Sequence, residues 1–156
     1  MLPLPAFAFV DLETTGTRAD GDRITEIGIV RVDDDPADGT IRVTEWSSLV
    51  DPGVPIPPVI QALTGITDRM VASAPSFATV AHDVLEMLAG CVFVAHNARF
   101  DYGFLKHAFA RLGRRFSARV LCTVRLSRRL FPAADGHGLD ALIARHGLNG
   151  SDRHRA

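Results

Sequence analysis

The stretch Phe7-Ala8-Phe9-Val10-Asp11-Leu12-Glu13 sets the tightest condition on how this chain folds, because an apolar run closes on two carboxylates two positions apart. The run suits a strand buried along most of its length. Side chains two apart on a strand share a face, so Asp11 and Glu13 emerge side by side. Like charges crowded at the end of a buried strand repel each other and lose hydration, a cost that a bound divalent cation would offset. Taken alone, the pair could equally cap a turn.

The stretches beyond Glu13 support a sheet. Arg23 to Val32 reads as a second strand, with Ile24, Ile27, Ile29 and Val32 at its apolar positions, and Ile41 to Leu49, with Val43 and Trp46, reads as a third. Turn chemistry at 18–22 and 33–39 separates the three, which makes a meander. Asp51 to Pro58 carries four prolines and is expected to be irregular. Pro75-Ser76 then opens a helix through Phe77, Val80, Val84, Leu85 and Leu88 that stops at Gly90. Cys91 to Ala95 has strand character, and Asn97 is expected to cap a helix running through Phe100, Phe104, Ala108 and Leu112. A short strand at Val120-Leu121, a helix over Thr123 to Leu130 and another over Leu139 to His146 complete an α/β domain.

Cys91 and Cys122 sit in apolar stretches without ligand spacing, which predicts reduced thiols and a cytoplasmic location. The N-terminal apolar run has no basic flank and meets Asp11 too early for a signal peptide or a membrane span. Net charge is −1, but its distribution is uneven: positions 1–95 hold 5 basic and 14 acidic residues, and positions 96–156 hold 12 basic and 4 acidic. The halves are electrically opposite, and the arginines of the second suit phosphate contacts, although GC-rich coding would produce the same arginine bias.

Two more constellations carry chemistry. His96-Asn97-Ala98-Arg99-Phe100-Asp101 puts an acid on the first turn of a helix that leaves a strand, where dipole compensation alone would favour it. Ser151-Asp152-Arg153-His154-Arg155-Ala156 puts a histidine in a basic tail. Together with Asp11-Leu12-Glu13-Thr14-Thr15-Gly16, these stretches resemble the DEDD exonuclease superfamily, in particular its histidine-bearing branch that includes the epsilon proofreading subunit of DNA polymerase III. Leu63-Thr64-Gly65-Ile66-Thr67 is similar to the family's segment near the terminal nucleotide, and His137-Gly138-Leu139-Asp140-Ala141-Leu142 to the approach to its third motif. The sister branch uses tyrosine in place of histidine, and the single tyrosine here, Tyr102, lies in the wrong motif.

The resemblance implies a ribonuclease H-like mixed five-stranded sheet flanked by helices, in one exonuclease domain spanning 1–156. It implies a 3′-to-5′ exonuclease that uses two Mg²⁺ or Mn²⁺ ions to release 5′-mononucleotides from DNA 3′ ends in proofreading or repair. Asp11 would bridge the ions, Glu13 and Asp101 would each serve one of them, and His154 would be the general base. The backbone around Thr14 and Thr15 would meet the terminal 3′-hydroxyl, with Leu12, Leu63, Ile66, Asn97 and Phe100 around the last nucleotide. The expected partner is a single-stranded or frayed 3′ end, with a DNA polymerase subunit or a C-terminal fused domain as further candidates and no membrane. The family's remaining aspartate lies five residues after its histidine; counted from His154 it falls at position 159, past Ala156. That count implies a domain cut within its third motif and a 156-residue form of impaired activity. An RNA-directed exonuclease and a non-catalytic nuclease-fold module are the alternative readings.

Overall fold

In the computed structural model, residues 5–35 and 38–149 are described. The chain begins with the expected meander: β1 (Phe7–Thr14), β2 (Ile24–Asp34) and β3 (Ile41–Leu49), paired antiparallel. Two short helices follow, α1 (Pro58–Thr64) and α2 (Asp68–Val71), and then α3 (Phe77–Leu88) leads into β4 (Val92–Ala95). The remainder is α4 (Arg99–Arg111), β5 (Arg119–Cys122), α5 (Thr123–Leu130) and α6 (Leu139–His146). The strands lie in the order β3-β2-β1-β4-β5. Because β1 pairs with β4 in parallel and β4 with β5 in parallel, the sheet is mixed, as expected.

Alternation along β1 decides which face is which. Ala8, Val10 and Leu12 are buried, whereas Phe9 and Asp11 between them are exposed. The buried set packs with Ile27 and Ile29 of β2 against Val80, Val84 and Leu88 of α3 and Phe104, Leu105 and Phe109 of α4. Phe109 anchors this layer, edge-on to Phe77 at 5.0 Å and stacked on Phe116 at 5.2 Å between ring centroids. Arg31 reaches from β2 to the end of α3, where its guanidinium donates to the carbonyls of Glu86, Met87 and Ala89. Those carbonyls lie at the C-terminal end of α3, where backbone donors run out beyond the Ala89 amide that reaches Glu86, so the contact fixes α3 over the sheet.

Three expectations need correction. Asn97 is not the cap of α4; it adopts φ 66° in the turn out of β4, and Ala98 occupies the cap position without a side-chain hydrogen bond. The proline-rich connection ends sooner than its composition suggests, because Pro58 opens α1, a position where its missing N–H costs nothing. The second strand outlasts its apolar pattern and continues to Asp34 through pairing with β3. Cys91 and Cys122 are both free thiols.

One buried polar atom in the sheet is unpartnered among the described residues, the hydroxyl Oγ1 of Thr25. Replacing a buried unsatisfied hydroxyl with a methyl removes its desolvation cost while the shape is kept. Thr25→Val is therefore expected to raise stability by about 1 kcal/mol, seen as a Tm higher by roughly 2–4 °C in thermal unfolding. A lower Tm would show that the hydroxyl contributes to the fold.

Candidate active site

The site arises because β1 outruns its neighbour. β4 pairs with β1 only from Phe7↔Val92 to Phe9↔Val94, so the edge of β1 beyond Phe9 loses its partner strand. α4 takes over there. The left-handed Asn97 turns the chain from β4 into α4, and the first turn of α4 brings Asp101 against β1, where its Oδ1 accepts a hydrogen bond from the Leu12 amide at 3.2 Å. Leu12 lies between Asp11 and Glu13 in sequence, so a residue 89 positions away is seated close enough to both strand carboxylates to feel their charge.

The electrostatics follow from that seating. Asp101 is 3% exposed. Burial, reinforced by the negative charge of Asp11 and to a lesser degree that of Glu13, pushes its carboxyl up to about 7, against hydrogen bonds from backbone amides including Leu12. Desolvation by the surrounding protein also raises the Asp11 carboxyl, although its side chain still reaches solvent; the Leu12 amide opposes this and the charge of Glu26 adds to it. Glu26 escaped the sequence reading. It is 5% exposed and lies directly across from Glu13 in the β1–β2 pair. The only signal was an acid inside the apolar run Ile24-Thr25-Glu26-Ile27, which acquires meaning once the register is known.

An oxygen-only set of carboxylates suits hard cations such as Mg²⁺ or Mn²⁺, and mutual repulsion in a desolvated cluster is what a bound cation relieves. Among the described residues no three His, Cys, Asp or Glu side chains stand as a ready-made cage. One Asp101 oxygen is occupied by the Leu12 amide.

The remaining candidates divide. Phe100 is half-buried and Asn97 exposed, and both line a cavity of about 290 Å³ with Thr17, Ala19, Arg99 and Phe104. Leu63 is 61% exposed at the end of α1, whereas Ile66 is fully buried with Ile56 and Val71 in a small separate core. Its side chain packs beneath the surface, which corrects its expected place beside a base. Leu12 is buried in the main core. Thr14 and Thr15 are buried too, their hydroxyls bonded to the Gly16 carbonyl and the Arg23 amide. His154 lies outside the described residues.

On the sheet face that carries Asp11, a groove of about 560 Å³ runs between Phe9 and Val30 on one side and Leu139, Leu142 and Leu148 on the other. Asp11 and His96 line it as well. The His96 Nδ1 is 2.9 Å from Thr123 Oγ1, and burial lowers its pKa. A polar knot holds the wall formed by α6: Arg145 donates to Ser127 Oγ at 3.0 Å and to the Gly136 carbonyl at 2.8 Å, and Ser127 Oγ meets His137 Nδ1 at 2.9 Å.

The sign of the pH dependence is set by Asp101. Its folded carboxyl holds a proton more tightly than the unfolded one, so its contribution to stability is fully present below the usual carboxylate range and is lost as pH rises through about 7. Asp101→Asn keeps an acceptor for the Leu12 amide and removes the charge. The metal-free variant is expected to match wild type near pH 4 and to melt at a higher temperature at pH 8, while losing most of the stabilisation that Mn²⁺ gives wild type. Parallel pH profiles for the two proteins would refute this account.

The exonuclease family RNase_T matches residues 8–156. The 3′-5′ exonuclease DinG of Staphylococcus epidermidis is 40% identical over 154 residues, which cover 98% of this chain and 16% of that protein. A DNA polymerase III subunit epsilon-like protein of Rhodobacter capsulatus is 43% identical over 150 residues, 94% of this chain and 21% of its own. The chain thus spans about a fifth or less of these relatives. Among solved structures, exonuclease X in complex with 5′ overhanging duplex DNA superposes with a TM-score of 0.68 at 33% identity, covering 96% of this chain and 81% of that one. With a family match over nearly all of its length and a sheet whose end gathers the motif carboxylates, the chain belongs to the RNase_T exonuclease family.

Proposed function

We propose that this domain is a metal-dependent 3′-to-5′ exonuclease that releases 5′-mononucleotides from DNA. The observation that carries the reading is the seating of buried Asp101 on the Leu12 amide at the open end of β1, beside the strand that bears Asp11 and Glu13. A fold that keeps three acids at such a cost, in a family of exonucleases, fits a centre completed by cations.

Asp11, Glu13 and Asp101 would hold Mg²⁺ or Mn²⁺, two ions per site. When bound, such ions stabilise charge on the scissile phosphate and acidify the attacking water. His154 is assigned as the base that takes the proton of that water. The Thr14 and Thr15 hydroxyls are already used within the protein, which favours recognition of the terminal 3′-hydroxyl through the backbone. Leu63, Asn97 and Phe100, at or near the surface, would flank the last nucleotide. DNA is preferred over RNA because exonuclease X, 33% identical, was solved on DNA. The name of the epsilon-like relative supports a polymerase subunit as a partner, while a single-stranded or frayed 3′ end and an adjoining domain are what the motif resemblance implies. Among the described residues no helix is long and apolar enough to cross a membrane.

The test measures mononucleotide release from 3′-labelled single strands of DNA and of RNA with excess Mn²⁺, alongside Mn²⁺ binding by calorimetry. In a form extended to carry the family's remaining aspartate, the unmutated protein should bind the ion and trim DNA in preference to RNA. Asp11→Ala should lose both binding and trimming while its melting temperature holds or rises, since one member of a repelling cluster is gone. An Asp11→Ala protein that trims at the wild-type rate would remove the basis of the assignment.

A further inference from the structure

The connection between β1 and β2 leaves the sheet directly after the site and is built with care. Its carbonyls turn inward. Arg111, in the last turn of α4, gathers three of them with one nitrogen: Nη2 donates to Ala19 at 3.1 Å, Asp20 at 3.0 Å and Asp22 at 3.3 Å. Arg23 takes the Gly21 and Asp22 carbonyls from the other side. The loop is closed on itself by the Arg18 amide donating to Asp22 Oδ2 at 2.8 Å. Gly16 has no room for a side chain, since a Cβ there would fall 2.5 Å from the same oxygen. The loop also lies against the middle of α4, where a Cβ on Gly103 would sit 3.7 Å from that of Ala19.

Thr17 and Ala19 of this loop form one wall of the cavity whose other wall holds Asn97, Arg99 and Phe100. The width of that cavity is therefore set by how the loop is held to α4. The long-range hydrogen bonds that hold it there come from Arg111.

We propose that Arg111 is a positioning residue for the 3′-terminal part of the bound strand, acting by clamping the 16–22 loop to α4 opposite Asn97 and Phe100. This rests on the exonuclease reading above. In this role Arg111 would act without touching substrate or metal, since its bonds to the three carbonyls turn its guanidinium toward the loop. Removing it frees the wall of the cavity and spares the carboxylates, so binding of the strand suffers more than turnover.

Equilibrium binding of a fluorescent single-stranded DNA oligonucleotide in Ca²⁺, steady-state trimming in Mn²⁺ and amide hydrogen exchange test this on Arg111→Ala and Arg111→Lys. For the alanine variant the expected result is a Kd and a KM raised about tenfold with kcat within about twofold of wild type. Exchange at Gly21 and Asp22 should quicken, Mn²⁺ binding should stay unchanged, and lysine should restore part of the affinity. The salt dependence of binding should keep its slope. A slope reduced by about one would identify Arg111 as a phosphate contact instead, and unchanged exchange or unchanged Kd would equally overturn the clamp. Should wild type bind DNA without trimming it, the exonuclease reading fails and the binding and exchange arms still decide the role of Arg111.

Discussion

The hydrogen bond from the Leu12 amide to Asp101 joins the two halves of this molecule at the place where the chemistry is expected. It exists because β1 is longer than the pairing that β4 offers it, leaving a strand edge with no neighbour. An unpaired, buried amide there would be costly. A carboxylate is a strong acceptor for it, and the start of a helix is a favourable place for a negative charge. The fold thus obtains a third acid beside Asp11 and Glu13 as the solution to a structural requirement of the sheet.

The same arrangement works against itself when no cation is bound. Asp101 is buried, and the charges of Asp11 and Glu13 add to the cost of its ionisation. Glu26, directly across from Glu13, brings a further acid into the crowd. Core packing on the opposite face, from Phe104, Leu105 and Phe109 against the Ala8, Val10 and Leu12 row, holds the acids together despite their repulsion. The core and the strand carboxylates therefore occupy opposite faces of β1, while α4, on the core side, brings Asp101 to the strand's edge.

Periodicity exposed the frame in the sequence, since strands with apolar alternation and helices with a 3.6-residue repeat appear where those patterns stand. It failed where local chemistry served a different end. Asn97 has a capping side chain, yet the turn out of β4 needs a left-handed residue, and asparagine tolerates φ 66° better than most. Ile66 shares its motif with Leu63, but one is buried and the other exposed, a distinction that depends on Ile56 and Val71 arriving from elsewhere in the chain. Glu26 carries no signal in the sequence beyond its place in an apolar run, and acquires meaning only through its register with Glu13. The motif carboxylates were legible because their spacing is local; their meeting depends on sheet order, which no local pattern encodes.

Helix α4 carries the consequence furthest. Its first turn holds Asp101 against β1, and its last turn holds Arg111 under the loop that follows β1. Thirteen residues of helix, about 20 Å at 1.5 Å per residue, thus tie the acid cluster and the 16–22 loop to one rigid rod. Loops vary in position because few contacts fix them; this one takes its position from a helix whose seat is set by Phe104, Leu105, Ala108 and Phe109 in the core. The geometry relating the acid cluster to the 16–22 loop is then a property of core packing, and a change that tilts α4 alters both together rather than either alone.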